Sequence, residues 1–335
     1  MDVRRGSPAQ NWVHSCCSKE KLARAINSTH VSAIEADVIL HENGYPIMAH
    51  PPKKTSNLTL KDFLQKTIQS PSVKHLKFDF KELGALKISL EMIAAHQKEL
   101  EARQQMVWLN ADVIGGPNTR KRGGRIKAAD FLPLCRRIAP FAYLSLGWNT
   151  APLGPDEMYL VSDMVEMERV CSEFGLPGDC VVFAANLRLA ERNLQPFINL
   201  MKSVSGSQIL FFTATGEPPV WEKTVDHVRS TFSAEAMSDR IGFDVQIVDN
   251  SIHSVQAHCI DCSFFCSRWS RWLCLYKMCR LSVRADSSTF SMSEMQPLVG
   301  AHEVVDPTIE IAPPDEQPLY SQSSPRTTLT ATMIT

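Results

Sequence analysis

Between residues 12 and 250 the chain alternates short, dense apolar runs with longer stretches in which apolar residues recur every three or four positions. The short runs are WVHS, SAIEADVIL, HLKFDF, MVWLNADV, FAYLSLGW, DCVVFAANL, QILFFTA and IGFDVQIV, and they read as eight strands. The longer stretches, at 18–28, 59–69, 84–102, 127–138, 156–174, 188–203 and 220–233, read as amphipathic helices. Strand and helix in alternation predict parallel strands joined by helical crossovers. Eight such units over about 240 residues are the pattern of an α/β fold of the (β/α)8, TIM-type barrel class. One segment departs from the alternation: HENGYPIMAH, after the second strand, carries Asn43-Gly44 and predicts a hairpin that returns the chain, with His50, to the end of that strand.

The polar positions inside the strands are the informative ones, because a barrel of this kind places its working residues at the carboxyl ends of its strands. His14 ends the first strand, Glu35 and Asp37 lie in the second, and His50 ends the hairpin. Lys77, Asp79 and Lys81 lie in or just after the third strand, and Asn110 and Asp112 in the fourth. Glu35 and Asp37 are two residues apart and so share a strand face, as do Asp79 and Lys81. With Ile34, Ala36 and Val38 turned toward the helices, both acids are expected to point into the barrel mouth. Trp148, in SLGW, reads either as an apolar wall of that mouth or as ordinary packing.

Composition narrows the function classes only slightly. The 335-residue chain is 44% apolar, with a formal net charge of −1, which offers no overall electrostatic basis for binding nucleic acid. Its basic run, TRKRGGRIK at 119–127, is short and Gly-broken and reads as a solvated loop in preference to the alternative, a phosphate or anionic-surface contact. The opening MDVRRGSPAQNW has no apolar signal-peptide core, which by itself points to the cytoplasm. CSFFCSRWSRWLCLYKMCRL is interrupted by Arg268, Arg271 and Lys277, so no transmembrane segment is expected there. Cys259, Cys262 and Cys266 have zinc-like spacings but no matching second pair, a weak signal.

The expected organisation is an N-terminal arm over 1–10, the barrel over 11–250, a Cys/Trp-rich segment over 251–283 and a disordered Ser/Thr/Pro-rich tail over 284–335. Such a tail offers little apolar surface to offset the entropy of ordering it. Deleting residues 286–335 is therefore expected to leave the thermal midpoint unchanged, and a large drop in calorimetry would contradict this reading.

Three carboxylates, Glu35, Asp37 and Asp79, converging on one mouth describe a site for a hard divalent cation, Mg2+ or Ca2+, since oxygen ligands dominate and no thiolate is needed. Two histidines beside them suit proton transfer. A divalent ion with a lysine can neutralise the non-bridging oxygens of a phosphodiester while one imidazole deprotonates the nucleophile and the other protonates the leaving oxygen.

The motifs HSCC, IEADVILHENGYPIMAHPP, LKFDFK, WLNADV and SLGW, in this order over roughly residues 11 to 249, resemble the menorin family. That family is similar in turn to glycerophosphodiester phosphodiesterases and sphingomyelinase-D-type phospholipases. The resemblance implies His14 and His50 as an acid/base pair, Glu35, Asp37 and Asp79 as metal ligands, and Lys81 facing the phosphate. Lys77, Asn110, Asp112 and Trp148 are the further candidates for contact with a phosphodiester or phospholipid-like molecule. One departure is visible: His14-Ser15-Cys16 stands where the phosphodiesterases have His-Arg-Gly, so a phosphate-binding arginine is missing there. The resemblance also implies an extracellular role in neuronal patterning. The alternative it leaves open is a barrel that binds a ligand or a cell-surface protein partner without turnover.

Overall fold

The computed structural model describes residues 11–151 and 157–248. The arm at 1–10, the Cys/Trp-rich segment with its zinc-like cysteines, and the expected disordered tail at 284–335 lie outside the described residues. The strands are β1 (Trp12–Val13), β2 (Ala33–Leu40), β3 (Pro46–Met48), β4 (His75–Phe80), β5 (Val107–Gly115), β6 (Tyr143–Asn149), β7 (Val181–Asn186), β8 (Gln208–Phe212), β9 (Val220–Trp221), β10 (Ile241–Asp244) and β11 (Ile247–Val248). The helices are α1 (Lys19–Asn27), α2 (Leu60–Gln69), α3 (Leu83–Ala95), α4 (Gln97–Ala102), α5 (Ala128–Ile138), α6 (Val161–Glu173), α7 (Leu187–Ala190), α8 (Gln195–Ser203) and α9 (Glu222–Ala234).

Eight strands run parallel in the order β1-β2-β4-β5-β6-β7-β8-β10, a sheet nearly closed into a TIM-type barrel, with β3 added antiparallel to β2. The expected hairpin is formed, with Val38 opposite Met48 and Leu40 opposite Pro46. Gly44 sits at its turn with φ +80°, a conformation that side chains rarely adopt. Ser18 caps α1 by accepting from the Lys21 amide, and Thr59 caps α2 by accepting from Asp62, each worth about 1 kcal/mol.

Strand alternation divides the barrel into two chemistries. Ile34, Ala36, Val38, Phe78, Phe80, Leu109, Leu144, Phe183 and Phe211 face outward and join the main core beneath the helices. The inward positions start from an apolar floor of Trp108, Val182 and Leu210, flanked by Trp12 and Tyr143, with the rings of Trp12 and Trp108 4.8 Å apart. Above that floor the inward residues become polar, which is where a site can be built.

Three predicted elements come out differently. The stretch 84–102 breaks at His96 into α3 and α4. The stretch 188–203 divides into α7 and α8, the latter opening with Pro196 in its first turn, where a missing amide proton costs nothing. The last strand leaves the barrel at Asp244, and its remainder, β11, pairs with β9 in a separate two-stranded sheet. Among the described residues no helix is long and apolar enough to cross a membrane.

Candidate functional site

Parallel register brings the inward residues of neighbouring strands side by side. Glu35 stands beside Lys77, Asp37 beside Asp79, Asp79 beside Asn110, and Asn110 beside Ser145. A continuous hydrogen-bonded row results. The Ser145 hydroxyl donates to Asn110 Oδ1 at 2.6 Å, and Asn110 Nδ2 donates to Asp79 Oδ1 at 2.8 Å. Lys81 Nζ then bridges Asp79 Oδ2 at 2.6 Å and Asp37 Oδ1 at 2.9 Å. Burial alone would discharge Lys81, but Asp79 and Asp37 outweigh it and hold the ammonium well above its ordinary pKa. Asp79 is partly buried, which by itself would raise its carboxyl, yet Lys81 and Lys77 keep it below the usual range.

Glu35 lies beneath this row and is fully buried. Its Oε2 accepts the Ser15 amide and sits 3.5 Å from His14 Nδ1, whereas Oε1 is buried without a hydrogen-bond partner. Burial, reinforced by Asp37 and opposed by His14 and Lys77, pushes the Glu35 carboxyl up to about 7. Ser15 adopts φ +51°, which ends β1 abruptly; its amide meets Glu35 and its hydroxyl donates to Asp37 Oδ2 at 3.2 Å.

His14 is held from the other end of the sheet. Its Nδ1 lies 2.8 Å from Asp244 Oδ2, a contact across 230 positions of sequence that ties β1 to β10 at the barrel seam. Burial pulls the imidazole down, but Glu35 and Asp244 together raise it to about 9. His50 is exposed at the end of the hairpin, with Nδ1 2.5 Å from the Pro51 carbonyl. Both histidines border one cavity of about 650 Å³ at the carboxyl end of the barrel, together with Asp37, Asp79, Lys77 and Lys81.

The donor set suits a divalent cation. Glu35, Asp37 and Asp79 each offer an oxygen, all within 4.8 Å of one another, and Glu35 also carries a buried Oε1 without a hydrogen-bond partner. Oxygen-only ligation of this kind matches Mg2+ or Ca2+. A second grouping, His14, Glu35 and Asp244, is equally compact, but there His14 Nδ1 is already engaged by Asp244.

The profile of the Menorin N-terminal domain matches residues 9–245. The chain belongs to the menorin family. It is 31% identical over 212 residues to human Protein FAM151B, covering 62% of this chain and 73% of that protein. Among solved structures, 2,3-dimethylmalate lyase, of the PEP mutase/isocitrate lyase superfamily, aligns with a TM-score of 0.35 and 10% identity over 87% of this chain and 88% of its own. S. officinalis PLC21 aligns with a TM-score of 0.30 and 11% identity over 64% of this chain and 30% of its own.

The remaining sequence candidates of this menorin-family barrel occupy distinct places. Lys77 is buried inside the barrel, its Nζ 5.7 Å from the Phe212 ring centroid. Asp112 lies above Asn110 on β5 and pairs with Arg125 at 3.2 Å; burial and Asp79, against Lys81 and Arg125, raise its carboxyl to about 6. Asn110 borders the cavity and is engaged on both sides, by Ser145 and by Asp79. Trp148 borders the cavity but is only 2% exposed, and its indole N–H donates to the Asp163 carbonyl at 3.1 Å.

Sequence reasoning missed Asp244, Arg125 and Arg188, all at this mouth or its seam. Asp244 had a legible signal, an acid at the end of the last strand run. Arg125 lay inside the basic stretch read as a solvated loop; that stretch is a loop whose basic residues are exposed, but it is anchored, with Arg120 bonded to Asp163 at 2.7 and 2.8 Å and Thr119 and Ile126 buried.

Proposed function

We propose that this menorin-family barrel is a metal-dependent phosphodiesterase acting on a glycerophosphodiester or phospholipid-like molecule at the barrel mouth. The observation that carries the reading is the buried, unpartnered Glu35 Oε1 within a cluster of three carboxylates, beneath a cavity bordered by two histidines. An orphaned buried carboxylate oxygen is costly, and a cation held by Glu35, Asp37 and Asp79 removes that cost. Bound Mg2+ or Ca2+ would supply positive charge against the non-bridging oxygens of the phosphate.

The chain's own groups do the rest. Lys81 and Lys77 add positive charge at the cavity floor. Asp244 engages His14 at Nδ1, so Nε2 is the ring nitrogen that would work in the cavity, while His50 stands on the returning hairpin. One imidazole takes the proton of the attacking hydroxyl and the other delivers one to the leaving oxygen. The attacking group is water or a hydroxyl of the substrate itself, the latter giving a cyclic phosphate. Family membership supports an extracellular setting for this activity.

Calorimetric titration tests the cation site. The wild type should bind Mg2+ or Ca2+, and Glu35→Gln should weaken binding at least about tenfold, because ligand charge sets affinity at such sites. In chelator the same substitution should leave the thermal midpoint unchanged or raised, since it removes a buried charge with an unmet oxygen. Equal cation affinity in the two proteins would sink the site.

Lys81 favours a second reading. It already contacts Asp37 at 2.9 Å and Asp79 at 2.6 Å, which supports a barrel whose carboxylates are satisfied internally and whose mouth binds a ligand or a cell-surface partner without turnover, in neuronal patterning. Assay of the full chain with Mg2+ or Ca2+ against glycerophosphodiesters, lysophospholipids and sphingomyelin separates the two: turnover supports the enzyme, and none on any of them supports the binding protein.

A further inference from the structure

The basic stretch at 119–127 is built to deliver one side chain. On its N-terminal side Arg120 is bound by Asp163, and Gly116 donates its amide to the Asn149 carbonyl at 2.8 Å. On its C-terminal side Ile126 is buried and donates its amide to the Asp112 carbonyl at 3.3 Å. Between them Asn149 Nδ2 holds the Gly123 carbonyl at 3.0 Å, and Gly124 lies so close to β5 that a Cβ there would be 2.3 Å from the Val113 carbonyl carbon. Lys121 and Arg122 are exposed and stand away from the mouth cavity, whereas Arg125 borders it.

Arg125 is aimed as well as placed. Its Nε lies 3.2 Å from Asp112 Oδ2, and Asp112 rests over Gly147, where a Cβ would come 2.6 Å from Oδ1. Glycine at 147 therefore makes room for the carboxylate that orients the guanidinium. Asp112 is the partner of Arg125 among the described residues, and it engages Nε, so the N–H groups of the two terminal nitrogens remain available at a side chain that is 44% exposed.

We propose that Arg125 is the anion-binding residue of the mouth, gripping phosphate oxygens of the ligand with its terminal nitrogens while Asp112 acts as its positioning residue. The inference rests on the phosphodiester reading and specifies what holds the ligand. A planar fork matches two oxygens of one phosphate, which an ammonium at the same place does not. Lys77 and Lys81 border the same cavity, so the phosphate meets positive charge from the floor as well as from the loop.

The experiment titrates inorganic phosphate into the full chain by calorimetry, in saturating Mg2+ and again in chelator, for wild type, Arg125→Ala and Arg125→Lys. Phosphate affinity should fall at least about tenfold in Arg125→Ala and recover little in Arg125→Lys, the size expected for a charge-assisted bidentate contact. Mg2+ affinity and the thermal midpoint should not move. Phosphate bound equally by wild type and Arg125→Ala, or not bound by wild type at all, would overturn the assignment. Loss of the cation site is read separately: a wild type that binds no Mg2+ counts against the phosphodiesterase reading, while the comparison in chelator still decides on Arg125.

Discussion

Phosphodiester turnover should fall roughly 100- to 10,000-fold in His50→Ala and by a comparable factor in His14→Ala, with the double variant little worse than either. The reasoning is geometric. His14 at the seam and His50 on the hairpin border one cavity and come from different elements, as an acid and a base working across a phosphorus must. His50 gives the cleaner readout, because it is exposed and, among the described residues, its ring is hydrogen-bonded to the neighbouring Pro51 carbonyl, so its removal should leave folding and cation affinity intact. His14→Ala strands Asp244, which is 4% exposed, and its loss of rate must be read beside a thermal melt. Steady-state hydrolysis of a glycerophosphodiester provides the rate and Mg2+ titration the control. Undiminished turnover in His50→Ala would leave the pair without a role.

Trp148→Ala should destabilise the protein by about 3–5 kcal/mol, the range for truncating a large aromatic in a packed core. The indole packs against Tyr159 at 5.3 Å, Phe197 at 5.9 Å and Phe183 at 6.1 Å between ring centroids. It also anchors α6 through the Asp163 carbonyl, and Gly116 approaches so closely that a Cβ there would be 2.7 Å from Trp148 Cβ. Trp148→Phe should cost less, since it keeps ring packing and removes only the indole's bond to the Asp163 carbonyl. Chemical denaturation measures both. A loss below about 1 kcal/mol in Trp148→Ala, outside the range for a core aromatic, would return Trp148 to the role of a mouth wall.

Much of the site was legible because strand periodicity is a local property. Glu35 and Asp37 had to share a face, and the apolar Ile34, Ala36 and Val38 left them only the interior, where the structure holds them. Asn43-Gly44 announced the hairpin for an equally local reason, a turn that needs positive φ at Gly44. The breaks at His96 and before Pro196 were harder to read, since apolar spacing continues across both while the backbone does not.

The eight-strand barrel class and the inward row of carboxylates and lysines were legible in the sequence, because each follows from spacing within one strand or from the alternation of strands with helices. Three contacts became visible once the barrel was assembled: Asp244 meets His14 at 2.8 Å, Lys81 bridges Asp37 and Asp79, and Arg125 reaches the mouth over Asp112. Those contacts depend on register and twist accumulated around the whole barrel, and on a loop held in place by partners 26 to 43 positions away. Local pattern records which face a side chain occupies; closure of the sheet decides which other side chains share it.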